Sequence, residues 1–330
     1  MAVTLAEINK LRQKSQAGLM DCKKALTEAE GDIDKAMEIL RKKGQLIAAK
    51  RSDREASEGC VLAQVEGNFG VMVALKCETD FVAKNADFVK LANDILALAM
   101  EKKPKTIDEL NALPLGDMTV AEAVTYRSGV TGEKMEIDGY NTIEGEKIVA
   151  YNHMGQNFLC TLVALNKECA DEVAKGVAMQ AAAMAPIYLK EEDITAEARA
   201  KELASIVEKT KEDEVKRAVE NAIKKAGINP NLVDSEDHIN SNISKGYITE
   251  EDGAKAREII AQVSEETRKN LNDKKIEMIS QGRLNKYFKE VCLLDQAYID
   301  DSKITVSQYL ASSDKELTVT DFKRYTLRSE

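Results

Sequence analysis

Seven residues, Thr79-Asp80-Phe81-Val82-Ala83-Lys84-Asn85, set a carboxylate beside a large aromatic ring just past the apolar run Gly70 to Leu75. Asp80 brings a charge and a hard oxygen, and Phe81 a rigid apolar wedge. A pair of that kind, on a firm strand, suits displacement of something in a partner rather than bond-making. Groupings that make or break bonds are scarce elsewhere. The two histidines, His153 and His238, lack metal-ligand spacing, and neither H-E-x-x-H nor G-x-S-x-G occurs. Gly129-Val130-Thr131-Gly132-Glu133-Lys134 has the glycines of a phosphate loop without its spacing or its terminal Lys-Ser or Lys-Thr, so it reads as a turn. Six cysteines, at 22, 60, 77, 160, 169 and 292, show no C-x-x-C pair and point to neither a zinc site nor a disulfide framework. Cys77 beside acidic residues is expected to have a raised thiol pKa, the wrong direction for a nucleophile.

Two placements of Phe81 fit the spacing. Phe81, Phe88 and Ile95 recur every seven residues, which would make Asp80 a helix cap and Phe81 a core residue. Alternatively, Asn85 and Asp87 offer a fresh cap before Phe88, leaving Phe81 on a short turn of its own. Leu19 and Met20 raise a related question, because two adjacent apolar residues on a helix cannot both face one core. At least one of them is expected to be exposed, and an exposed methionine invites a partner.

The elements that must position these groups follow from periodicity. Residues 4–43 read as three short helices, with Asp32 placed to cap the third and a basic helix or linker from Lys42 to Arg54. From Gly59 the period becomes strand-like: Val61, Ala63 and Val65, a turn at Glu66-Gly67-Asn68, then Val71 to Leu75, a β-hairpin. A helix follows through Phe88, Leu91, Ala92, Ile95 and Leu98. The same succession recurs with Ile148 to Tyr151, Phe158 to Leu165 and helical Val173 to Met184. Val73-Ala74-Leu75 matches Val163-Ala164-Leu165, which suggests an internal duplication. Residues 195–281, rich in Ala, Glu and Lys, predict an inserted, protruding antiparallel helical hairpin or coiled coil. Glu290-Val291-Cys292-Leu293-Leu294 and the residues through Ile299 read as one more strand.

A chain of 330 residues exceeds one typical core. The expected architecture is α+β in four parts: a three-helix module with linker at 1–55, one core half at 56–140, the other at 141–194 with 282–330, and the insert at 195–281. Forty-seven basic against 57 acidic residues give a formal charge of -10, which argues against a nucleic-acid backbone as the main partner. Residues 1–55 carry 12 Lys and Arg against 9 Asp and Glu, an asymmetry suited to steering association with a protein. The first twenty residues carry regular charges and no apolar h-region, and Gly176 to Leu189 is too short to span a bilayer. A soluble, cytoplasmic protein with reduced thiols is the expectation.

Three blocks carry a family resemblance: Ala17-Gly18-Leu19-Met20-Asp21-Cys22-Lys23-Lys24-Ala25-Leu26, then Thr79 to Asn85, then Gln281-Gly282-Arg283-Leu284-Asn285-Lys286-Tyr287-Phe288 with Glu290 to Leu293. With them the chain resembles the elongation factor Ts family, the guanine-nucleotide exchange factors of bacterial elongation factor Tu. The pattern Ala25-Leu26, Gly31-Asp32, Ala36 and Leu40 is that of a ubiquitin-associated-type three-helix module, and the resemblance implies that Leu19 and Met20 dock on a helix of the G domain. It also implies that Thr79, Asp80, Phe81 and Val82 disturb the partner's magnesium site, and that His153, in the second hairpin turn, lies near the same interface. It implies exchange without covalent chemistry or cofactor, on GDP-bound and nucleotide-free elongation factor Tu, with no direct nucleic-acid or membrane partner. The chain departs from the family where Gly132-Glu133-Lys134 leads into Met135-Glu136-Ile137-Asp138 rather than a paired arginine, and where the insert is enlarged around 205–270. Two rivals differ in class: an adaptor using the helical module without exchange activity, and a thiol enzyme using Cys77 or Cys160 with His153.

Overall fold

The computed structural model describes residues 3–328, so the two residues at each end of the expected outer segments lie outside the described residues. Three helices come first, α1 (Leu5–Ser15), α2 (Leu19–Glu28) and α3 (Ile33–Ala49). Thr4 and Glu7 cap α1 reciprocally, and the Asp32 carboxylate accepts from the N–H groups of Asp34 and Lys35 to start α3. Ile8, Leu11, Cys22, Ala25, Leu26, Ala36 and Leu40 bury the stripe that helical spacing predicts. Of the two alternatives for Lys42 to Arg54, the helical one holds as far as Ala49, where α3 ends.

The hairpin β1 (Glu58–Glu66) and β2 (Phe69–Cys77) pairs Glu66 with Phe69 across its turn. Then come α4 (Asp80–Ala83), α5 (Ala86–Lys102), α6 (Ile107–Ala112), the two-residue strands β3 (Pro114–Leu115) and β4 (Met118–Thr119), α7 (Val120–Thr131) and β5 (Met135–Glu144). β5 completes a sheet of order β1-β2-β5, so β2 is central and nearly every residue in it is buried. A strand covered on both faces reads as a continuous apolar run, as Phe69 to Leu75 does. Residues 129–131 of the expected turn belong to α7, and the turn itself is Gly132, at φ 75° in the left-handed conformation common just past a helix. β5 also runs across residue 140, where a division of the core was expected.

β6 (Lys147–Asn152) and β7 (Leu159–Leu165) form the second hairpin, and α8 (Asp171–Met184) follows. The chain then enters a separate unit, Lys190–Asp295, made of α9 (Ala196–Lys225), α10 (Glu236–Ser244), α11 (Glu250–Lys269) and α12 (Asp273–Val291). Both α11 and α12 pack along α9, so this unit has three long helices and a short one where a two-helix hairpin was expected. Ile223, Ile228, Val233, Ile239 and Ala256 form a small core of their own.

The expected strand at Glu290 is a second correction. α12 continues to Val291 because Ile276, Leu284 and Phe288 keep its buried face, and Cys292 closes it through its N–H to the Phe288 carbonyl. A short apolar run cannot by itself tell a helix end from a strand. Cys292 alone is extended there, and the next strands are β8 (Ala297–Tyr298) and β9 (Asp301–Thr305), before α13 (Val306–Ser313) and β10 (Val319–Thr326). β10 joins β7 and β6 in a sheet of order β10-β7-β6.

The two three-stranded sheets face each other across Val61, Met72, Ala74, Ile143, Ile148, Cys160, Leu162 and Ala164. Helices α5 and α7 cover the outer face of the first sheet. α8 covers the second, with the Thr161 hydroxyl donating to the Ala178 carbonyl at 2.9 Å. The result is an α+β fold of small antiparallel sheets between helices.

Candidate functional site

The run from Thr79 to Asn85 is a single helical turn between two caps. Thr79 accepts weakly from the Val82 N–H at 3.4 Å to begin α4. Asn85 accepts from Asp87 at 2.9 Å to begin α5. The caps break the seven-residue register that would have carried Phe81 into the core with Phe88. Val82 and Ala83 pack inward against the sheet-and-helix core, leaving Asp80 and Phe81 on the outward side. Phe81 is 84% exposed, more than any other large apolar side chain that the structure describes as exposed. Such exposure removes an aromatic's usual contribution to folding and marks the residue as a candidate for binding.

Charge at the turn is organised. Lys84 Nζ lies 2.7 Å from Asp80 Oδ2, and that hydrogen bond holds the Asp80 carboxyl below its ordinary pKa, so Asp80 is an anion at neutral pH. Both groups face solvent, so the pair adds little to stability and can be exchanged for other partners. Behind the turn, the Glu133 carboxylate accepts from the Glu78 N–H at 3.2 Å, the Thr79 N–H at 3.1 Å and the Thr79 hydroxyl at 2.6 Å. Glu78 in turn accepts from the Lys134 N–H at 2.7 Å and from Arg54 at 2.9 Å. On the far side Arg127, nearly buried on α7, pairs with Asp87 in the first turn of α5 at 3.0 Å.

The other expected site residues stand on separate elements. Leu19 and Met20 open α2 and are 42% and 60% exposed, so both face outward where only one had to. His153 lies in a single-turn 3-10 helix joining β6 and β7. Its Nδ1 is 3.2 Å from the Tyr151 hydroxyl and its ring meets Phe158 edge-on, while the next residue, Met154, is 72% exposed at φ 54°. A single partner touching Leu19-Met20, Asp80-Phe81 and His153 must therefore span α2, α4 and the β6–β7 turn.

A sequence model described as Elongation factor TS matches residues 78–329, beginning at the site turn. The chain is 60% identical over its full length to the elongation factor Ts of Bacteroides thetaiotaomicron, and 43% to that of Porphyromonas gingivalis. It is 40% identical to that of Azobacteroides pseudotrichonymphae, and each of these matches covers the whole of both chains. The chain belongs to the elongation factor Ts family. Its work is accordingly guanine-nucleotide exchange on elongation factor Tu during translation.

The cysteines fit that role better than thiol chemistry. Cys77 and Cys160 are fully buried, and burial pushes both thiols up to about 12, with Glu133 adding to the effect at Cys77. Both are therefore protonated at neutral pH. Among the described residues no group of three or more His, Cys, Asp or Glu is placed to hold a metal ion, and no helix is long and apolar enough to cross a membrane. Glu133 is the residue that sequence reasoning passed over. It sits 54 positions from Thr79, and no local pattern announces a carboxylate that caps a distant turn.

Proposed function

We propose that this member of the family promotes GDP release by pressing the Asp80-Phe81 turn against the surroundings of the magnesium ion in elongation factor Tu. The observation that carries the reading is an aromatic ring left 84% exposed at the tip of a one-turn helix whose base is fixed to the central sheet. Thr79 and Val82 anchor the turn, Phe81 enters the partner, and Asp80 offers it an anionic oxygen. Magnesium holds a strict octahedron of oxygens at short range, so a small shift of its surroundings loosens the nucleotide. Linkage then requires GDP to weaken the exchange factor's own binding by the factor that the factor weakens GDP's.

The same reading treats α1 to α3 as a ubiquitin-associated-like module that docks through Leu19 and Met20, and His153 with Met154 as a second contact from the β6–β7 turn. Exposed apolar residues on a small helical module support the first. The paired hairpins, each followed by a helix on its outer face, support an origin by duplication. We divide the chain into parts at 1–55, 56–140, 141–194 with 282–330, and 195–281, and the separate helical unit Lys190–Asp295 supports the last as an insert. The chain is read as performing no covalent chemistry, acting in the cytoplasm on both GDP-bound and nucleotide-free partner, without direct contact to nucleic acid or membrane. The net charge of -10 supports the exclusion of a nucleic-acid backbone.

Magnesium dependence tests the displacement step. In a labelled-GDP release assay with catalytic amounts of the chain, acceleration should be large with magnesium present and shrink to a small factor when a chelator has already removed the ion. The same acceleration with and without magnesium would contradict the proposal.

A further inference from the structure

We propose that Glu133 is a positioning residue for exchange: its carboxylate presets the orientation of the Asp80-Phe81 turn, and it ties that turn to the helix on which the N-terminal module rests. The inference rests on the displacement reading of Asp80 and Phe81.

One half-buried carboxylate satisfies three donors of the segment joining β2 to α4, with both its oxygens in use. The segment's other holds are the partly buried Val82 and Ala83 against the core and the Cys77 thiol, which donates to the Thr79 carbonyl at 3.3 Å. α4 has a single turn, no residue in it is buried, and its own cap bond is long at 3.4 Å. A carboxylate bonding two successive backbone N–H groups and the adjoining hydroxyl fixes the position of the peptide planes from which Asp80 and Phe81 project. Glu133 is itself fixed. It follows Gly132, the left-handed cap of α7, and the Ser128 hydroxyl donates to its main-chain carbonyl at 2.5 Å.

α7 has a second task. Gly129 meets Gly44 of α3 so closely that a Cβ on Gly129 would lie 2.1 Å from the Gly44 Cα. Tyr126 donates its hydroxyl to the Ser15 carbonyl at 2.7 Å, and Tyr126 and Val130 pack against the core of the first three helices. The helix that seats the module bearing Leu19 and Met20 therefore ends in the carboxylate that holds the turn bearing Asp80 and Phe81. Arg54, just beyond α3, reaches the same segment through Glu78. Docking residues and displacing residues share one rigid support, so docking alone brings Phe81 to a preset place.

The test measures the saturating rate of GDP release and the concentration of exchange factor giving half of it, for the full chain carrying Glu133→Ala, Glu133→Gln, Phe81→Ala and the double change Glu133→Ala with Phe81→Ala. Glu133→Ala should lower the saturating rate on the order of tenfold, since misplacement of about an ångström suffices for such losses. The half-saturating concentration should move less than about threefold. Glu133→Gln should restore part of the rate, because its amide oxygen can still accept from the two N–H groups. In the Phe81→Ala background Glu133→Ala should cost less than about twofold more, as expected of residues acting through one another.

Additive losses, or a rate unchanged by Glu133→Ala where Phe81→Ala slows exchange, would overturn the positioning role alone. A normal rate in Phe81→Ala would overturn the displacement reading itself. If thermal melts show Glu133→Ala to be unfolded, Thr79→Val removes the hydroxyl contact without emptying the carboxylate site. It should then lower the saturating rate in the same way, and a wild-type rate would count against the proposal.

Discussion

Phe81 and Phe88 are seven residues apart on adjoining helices and differ completely in environment: the first is 84% exposed, the second fully buried. The same side chain is a structural asset at one position and an apparent liability at the other. What separates them is Asn85, whose side chain accepts from the N–H groups of Asp87 and Phe88 and restarts the helix in a new register. Residues after the break align Phe88, Ala92, Ile95 and Ala99 on the sheet. Residues before it align Val82 and Ala83 inward and release Phe81. In the proposed reading the ring kept in water by its own backbone is there for binding, and the bonds from Glu133, Arg54 and Arg127 hold its base still.

The contrast can be tested by substitution, and Phe88 should show the largest effect on folding. Truncating a fully buried aromatic costs about 3–5 kcal/mol. Phe88→Ala should therefore lower the melting temperature sharply, while the fraction still folded exchanges GDP normally. A Phe88→Ala chain with unchanged stability would mean that the two phenylalanines are not differently used.

Asn85→Ala should cost less, about 0.5–2 kcal/mol as usual for loss of a helix cap. Its more informative consequence is local. Without the cap the two helices are free to merge, so amide hydrogen exchange over residues 80–88 should change while the rest of the sheet keeps its protection. Unchanged protection there would assign the break to the packing of Val82 and Ala83 rather than to the cap.

Much of this arrangement was legible in the sequence for a physical reason: its determinants are local. The alternation in β1, the continuous apolar run of β2, the stripe of α5 and the cap at Asp32 each act within a few residues. Phe81 was balanced between two placements because heptad spacing and an Asn cap are both local signals, and they disagree. What stayed hidden is long-range. β10 pairs with β7 across more than 150 residues. The alternation of β5 is interrupted at Gly139, next to a register shift opposite Ala74 and Leu75, where any Cβ would meet the ring of Tyr325. Glu133 reaches Thr79 through folding alone. The end of α12 resembles a strand in sequence because Val291 to Leu294 are apolar without enough length to show a period.

The central claim is that Phe81 acts on the partner and not on this chain's own fold, and Phe81→Ala tests it most directly. A thermal melt and a labelled-GDP release assay on the same protein should show an almost unchanged melting temperature and a rate lower by roughly 30-fold to several hundredfold. That range is the equivalent of the 2–4 kcal/mol typical for truncating a central interface aromatic. Marked destabilisation with normal exchange by the folded fraction would contradict the account.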